Sequence, residues 1–283
     1  MNRFPKILNF DNLTYEYFPR GMNFFYTIRF LRYLLISRHI RGHGIHSPFV
    51  FDLVARVFRN KINPAIVLTI ENIRKNRNSD EQKIRVTDLG AGSVKMKNNL
   101  KKISDITKYS AVPPKYCSIL ANMAQEFGNN SIVELGTSFG LSTMYMAAQR
   151  PDTVVYTIEG CPVLSKIAEE NFNIAGLENI RLLTGSFDDK LPELINIGVN
   201  PGLVFIDGNH RKEPVLKYFA LITEMINRDS VVILDDIHLS EEMEEAWSEI
   251  RNMKNVSFTI DIFRMGMVFF RRGMNHFDYI IKY

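Results

Sequence analysis

Apolar residues in the N-terminal third recur at helical spacing. Phe24, Ile28, Leu31 and Leu35 fall three or four positions apart, which predicts an amphipathic helix. A second helix is predicted in SPFVFDLVARVF, where Ser47-Pro48 supplies a start and Phe49, Leu53 and Val57 form the apolar stripe. Between them RHIRGHGIHSP, Arg38 to Pro48, holds two glycines and a proline and reads as a loop. The polar tract ENIRKNRNSDEQK, Glu71 to Lys83, reads either as a helix end or as a linker.

Beyond AVPPKY the period changes. Short β-rich runs, SIVEL, TVVYTIE, NIRLLT, GLVFID and SVVILDD, alternate with helical patterns at Leu141 to Gln149, Pro162 to Ala175, Glu213 to Asn227 and Ser240 to Met253. Strand and helix in strict alternation predict an α/β fold with a doubly wound, mostly parallel sheet covered on both faces. VSFTID and GMVFFRR follow with a short turn between them, which predicts an antiparallel pair closing the sheet's edge. The expected division is a mainly helical extension over residues 1–110 and an α/β domain over 111–283.

Charge sharpens that division. The net charge is +4, but residues 1–110 carry 20 Lys and Arg against 8 Asp and Glu, and the remainder 15 against 23. A basic stretch can serve nucleic acid, an anionic membrane or an anionic substrate, or simply pack against the acidic part. Cys117 and Cys161 stand apart, with neither a CxxC spacing nor a histidine pair to suggest zinc. The first residues lack a signal-peptide pattern, and Arg29 and Arg32 interrupt the greasy run MNFFYTIRFLRYLLIS. A cytoplasmic protein is expected, with peripheral membrane contact through that run as an alternative.

Two glycine turns compete for a nucleotide. In an open parallel sheet the ligand lies beyond the carboxyl ends of the strands, with an acid at the end of the following strand to hold ribose hydroxyls. SIVELGTSFGLST places Glu134, Gly136, Ser138 and Gly140 in E-x-G-x-S-x-G order, opens a helix at Leu141-Ser142-Thr143, and is followed by a strand ending in Glu159-Gly160. The upstream twin, IRVTDLGAGS, runs into polar, basic sequence with no second strand or acid at the matching distance. Its turn reads as leading out of an edge strand, or as a loop lining the acceptor pocket.

The ordered set over residues 115–272 resembles the class I S-adenosylmethionine-dependent methyltransferases. VELGTSFG is similar to that family's first motif, YTIEG to its second, and LLTGSFDD stands where the family meets adenine. The resemblance implies a seven-stranded sheet of order 3-2-1-4-5-7-6, the last strand antiparallel. It also implies that Glu134, Gly136, Ser138, Gly140 and Ser142 surround the methionine part of S-adenosyl-L-methionine. Glu159 and Gly160 would then meet the ribose, and Gly185, Ser186, Phe187 and Asp188 the adenine.

FIDGNH places Asp207 at one strand end and His210 three residues on, while ILDDIH places Asp235 and Asp236 at the next, with His238 close behind. Three carboxylates on neighbouring strands repel one another unless a cation shares them, and an all-oxygen set suits Mg2+. The arrangement resembles metal-dependent O-methyltransferases that act on macrolide sugar hydroxyls. By that resemblance Asp207, Asp235 and Asp236 would be the metal ligands, with Asp207 also in a catalytic role and His210 the base; Asp235 departs from relatives that carry Glu, which shortens its reach. Two other readings stay open: Asp207 contacting the cosubstrate's amino group, and Asp235 or Asp236 capping the next helix. His238 competes for the role of base, and His43, His46 and Arg41 are candidate acceptor contacts in the N-terminal loop.

The leading expectation is methylation of a hydroxyl on a small molecule, a sugar or a glycoconjugate. Ribose methylation of RNA through the basic N-terminal region is a second; IDGNH lacks the prolines and aromatic of nucleobase-methylating turns, which weighs against nucleobase chemistry. A non-catalytic membrane-surface or partner-binding protein is a third, and the first helix would equally serve a homodimer contact.

Overall fold

The computed structural model describes residues 24–38, 44–87, 100–273 and 276–283. The elements run α1 (Phe24–Ile36), α2 (Pro48–Ala55), a 3-10 turn (Val57–Arg59), α3 (Pro64–Asn78), β1 (Lys83–Arg85), β2 (Leu100–Lys102), α4 (Ile103–Ser110) and α5 (Pro114–Phe127). The alternating part follows: β3 (Ser131–Leu135), α6 (Leu141–Gln149), β4 (Val154–Glu159), α7 (Pro162–Ala175), β5 (Ile180–Thr184), α8 (Phe187–Asn196), β6 (Leu203–Ile206), α9 (Lys212–Met225), β7 (Val231–Leu234), α10 (Glu241–Arg251), β8 (Phe258–Asp261), β9 (Gly266–Phe269) and β10 (Phe277–Ile280).

Eight strands form the main sheet in the order β10-β8-β9-β7-β6-β3-β4-β5, not seven. Strands β3 to β9 reproduce the expected winding, with β9 antiparallel to both β7 and β8. The correction is β10, which pairs parallel to β8 and takes the edge expected for the hairpin. The central strands β3, β6 and β7 are buried throughout, as continuous apolar runs require when helices cover both faces. Along β3, Ile132 joins a core with α5 and α6, whereas Val133 and Leu135 join the opposite core with α8, α9 and α10.

The extension is packed into this body. Val50, Leu53, Val54, Phe58, Ile70 and Ile73 belong to the same apolar cluster as α5 and α6. Ser47 caps α2 by accepting from the Val50 amide, and most of the polar tract from Glu71 proves to be the end of α3. Helix α1 is oriented differently from its aliphatic stripe: Ile28, Leu31 and Leu35 are exposed, while Phe30 and Tyr33 are buried. An aromatic pocket decides the matter, because Tyr26, Phe30 and Tyr33 all surround Phe263, with ring centroids 5.0–5.2 Å away. Tyr33 also donates its hydroxyl to the Ile281 carbonyl at 2.6 Å, joining α1 to the end of β10.

Strand β1, which precedes the upstream glycine turn, pairs only with β2 in a separate two-stranded antiparallel sheet. It is therefore no edge of the main sheet. The DLGAGS turn itself, and with it Arg41 and His43 of the N-terminal loop, lie outside the described residues.

Candidate active site

Strands β3, β4, β6 and β7 end side by side at the crevice rim. The turn after β3 is shaped by backbone that side chains tolerate poorly: Gly136 has φ +101°, Ser138 +48° and Gly140 +75°. A Cβ at Gly136 would lie 1.9 Å from the Asp207 carbonyl oxygen, so glycine lets the β3 turn close directly onto the end of β6. Gly140 then starts α6, and no side chain caps its first amides.

The two glutamates of this turn have different environments. Glu134 is fully buried and accepts hydroxyl hydrogen bonds from Ser142 at 2.6 Å, from Thr157 at 2.7 Å and from Thr143. Burial pushes its carboxyl up to about 7 although those donors pull it down. Its side chain thus braces the turn from beneath. Glu159, at the end of β4, accepts from the Ser138 amide and from the Cys161 amide, each at 2.8 Å. This carboxylate holds the glycine turn from across the strand gap. Gly160 follows it, half-buried.

On the adenine side, Ser186 caps α8 by accepting from the Asp189 amide, and Gly185 lies just before it with φ +151°. Phe187 packs edge-on to Tyr218 at 5.4 Å and lies against Gly208. Asp188 points outward and pairs with Lys217 at 2.8 Å.

The acceptor side gathers Asp207, Asp235, Asp236 and His210, as their strand positions required. His210 Nε2 lies 3.6 Å from Asp207 Oδ1 and 4.0 Å from Asp236 Oδ2. Burial, reinforced by the Asp235 charge, pushes Asp207 well above the ordinary carboxylate range, against the pull of Arg264. Asp236 adopts φ +53°, a left-handed conformation that is uncommon for a residue other than glycine. Neither acid caps the next helix; Ser240 does so, accepting from the Met243 amide.

Arg264 was not anticipated. It lies in the turn between β8 and β9, and its Nε and Nη2 grip Asp235 at 2.9, 3.1 and 2.6 Å, with Nη2 a further 3.8 Å from Asp236. Although burial works against its charge, Asp235 and Asp236 hold this guanidinium firmly protonated. Among the described residues no group of three His, Cys, Asp or Glu is disposed to hold a metal ion. The expected ligand set therefore does not fit a divalent cation in this geometry, because both Asp235 oxygens already face guanidinium nitrogens. The sequence signal for Arg264 was a single arginine in the last hairpin turn, three residues after Asp261 and far from its partner Asp235.

His238 is not placed to be a base. Its ring nitrogens contact Glu244 at 2.8 Å and Asp261 at 2.9 Å, and these acids raise its pKa to about 9 despite burial. It is a structural cation, stacked on Phe263. Glu244 also pairs with Arg29 of α1.

Residues 133–237, from β3 through the β7 strand end, match the family model described as a methyltransferase domain. The match covers little more than a third of the chain and marks this stretch as similar to that family. Similar curated proteins include the catechol O-methyltransferase of Niastella koreensis, 31% identical over 126 residues, covering 44% of this chain and 55% of that protein. The O-methyltransferase imqG of Aspergillus flavus is 29% identical over 149 residues, covering 50% of this chain and 58% of that protein. The chain thus spans little more than half the length of these relatives. Among solved structures, an O-methyltransferase from Bacillus cereus in complex with SAH superposes with a TM-score of 0.52 at 18% identity, covering 78% of this chain and 97% of that one. The SAH-bound Podospora anserina methyltransferase PaMTH1 gives 0.56 at 14% identity, with 80% and 97% covered. At these identities the superpositions establish the fold alone, a mostly parallel α/β sheet wound as in those proteins. No helix among the described residues is long and apolar enough to cross a membrane.

Proposed function

We propose that this protein transfers the methyl group of S-adenosyl-L-methionine to a hydroxyl oxygen of a small molecule. The observation that carries the reading is the direct closure of the β3 turn onto the end of β6. It places a nucleotide-shaped turn, held by Glu159, beside a histidine flanked by carboxylates. The relatives named O-methyltransferases support oxygen as the acceptor atom.

In this reading Gly136, Ser138 and Gly140 admit the methionine part, Glu159 meets the ribose, and Gly185 to Asp188 border the adenine, with Phe187 offering a ring. Glu134 acts through Ser142, Thr143 and Thr157, setting the turn's shape rather than touching the ligand. His210 would take the acceptor hydroxyl's proton and become imidazolium, and S-adenosyl-L-methionine, when bound, would supply the electrophilic methyl group and leave as the neutral thioether. Asp207 and Asp236 stabilise that imidazolium. Holding oxygen, methyl carbon and sulfur in line supplies the rest of the rate.

Isothermal calorimetry with SAH on the full chain tests the reading, with the expectation of one site that Glu159→Ala weakens. A folded protein that binds no SAH would reject it. The acceptor class is then sought with radiolabelled donor and fractionated small molecules, comparing wild type with His210→Ala.

A further inference from the structure

We propose that the guanidinium of Arg264 takes the place that a divalent ion would hold among Asp207, Asp235 and Asp236, so that this acceptor site works with a built-in organic cation. The inference rests on the methyltransferase reading for the site's purpose, but its geometric basis is independent of it.

A carboxylate that binds Mg2+ must present an oxygen at about 2.0–2.1 Å in near-octahedral geometry. Both oxygens of Asp235 are already engaged by a cation. Its side chain is wholly buried, and both oxygens receive the planar fork of Arg264 at 2.6–3.1 Å. A doubly charged ion shared with Asp235 would sit against a guanidinium bound to the same oxygens, and the two cations repel strongly at such range in a buried setting. Removing either partner of a buried fork leaves an uncompensated charge, so Arg264 is not readily displaced.

The arginine is also built into position. Phe263, immediately before it, adopts φ +71°, unusual for a bulky residue, and its amide donates to Asp261 Oδ1 at 2.7 Å. The rings of α1 surround Phe263, and the Arg264 guanidinium lies over Tyr116 with its carbon 5.8 Å from the ring centroid. Nη1 has no hydrogen-bond or ion-pair partner among the described residues, and 21% of the side chain remains exposed. The fork therefore keeps a donor for an acceptor oxygen or for a carboxylate or phenolate beside it. Arginine supplies directed N–H donors and a fixed charge, whereas a metal would supply open coordination positions.

The test is Mn2+ titration of the full-length, chelator-treated protein, followed by the electron paramagnetic resonance signal of free Mn2+, with and without SAH. Wild type is expected to show no saturable Mn2+ site. Arg264→Gln is expected to gain one, and the Asp235→Asn, Arg264→Gln double variant to lose it again. The proposal is overturned if wild type binds one Mn2+ and Asp235→Asn abolishes that binding. It is equally overturned if Arg264→Gln, folded and still binding SAH by calorimetry, takes no Mn2+. Should Arg264→Gln fail to fold, the wild-type titration decides alone. Absence of SAH binding would instead sink the methyltransferase reading and leave the Mn2+ result standing.

Discussion

Two histidines stand three residues beyond an aspartate at neighbouring strand ends, His210 after Asp207 and His238 after Asp235. Identical spacing has given them opposite environments. His210 keeps 28% of its side chain exposed and touches its carboxylates only loosely, at 3.6 and 4.0 Å. His238 is gripped on both nitrogens at 2.8 and 2.9 Å and stacked on Phe263. A D-x-x-H string thus identifies no base by itself; what decides is whether the ring's nitrogens are left for chemistry or committed to structure.

The comparison breaks first on activity. Replacing His210 with alanine should lower methyl transfer by about 10²- to 10⁴-fold, the usual contribution of a positioned base, with SAH affinity little changed. The check is single-turnover transfer from radiolabelled donor beside calorimetry. Rates near wild type would remove His210 from the chemistry.

His238→Gln should do the reverse. It takes the cationic partner from Asp261 and leaves Glu244 with Arg29 alone, and losing one partner of such a largely buried cluster costs about 3 kcal/mol. Urea midpoints measure this loss; SAH binding to the folded fraction should persist.

pH sharpens the same contrast. The folded pKa of His238, about 9, lies above its unfolded value of 6.5, so its stabilisation is complete below pH 6.5 and is lost as pH rises through 9. The stability difference between wild type and His238→Gln should therefore be larger at pH 6 than at pH 10. Equal differences at both pH values would mean that His238 is neutral in the folded protein.

Glu159→Ala should weaken SAH binding by about 10- to 100-fold, the scale of lost hydrogen bonds to a charged group, and should leave proton transfer at His210 unaffected at saturating donor. Smallest of all is Arg29→Ala. Its ion pair with Glu244 has partners 30% and 18% exposed, and its loss should cost under about 1 kcal/mol. A larger loss would show that α1 holds His238 in place through charge as well as through aromatic packing.

Much of the fold was legible because continuous apolar strands alternate with amphipathic helices, and those patterns reflect burial on two faces. Strand β10 was not, since FDYI is short, partly exposed and follows the last periodic pair. Helix α8 was also missed: Pro192 lies inside it, although Ser186 with Asp189 three residues later is an N-terminal signal that could have revealed it. The face of α1 was misread because the aliphatic spacing outweighed three aromatics whose partner, Phe263, lies more than two hundred residues away. At the site, the strand-end acids could be located because topology alone brings them together. Arg264 could not, as its partner lies 29 residues away across the sheet. The roles of Glu134 and Glu159 were separable only once their donors were visible, three hydroxyls for one and two backbone amides for the other.

The contact between Gly136 and the Asp207 carbonyl has a consequence for tolerance. Donor and acceptor ends of the crevice share a seam of bare main chain, so neither can drift without carrying the other along.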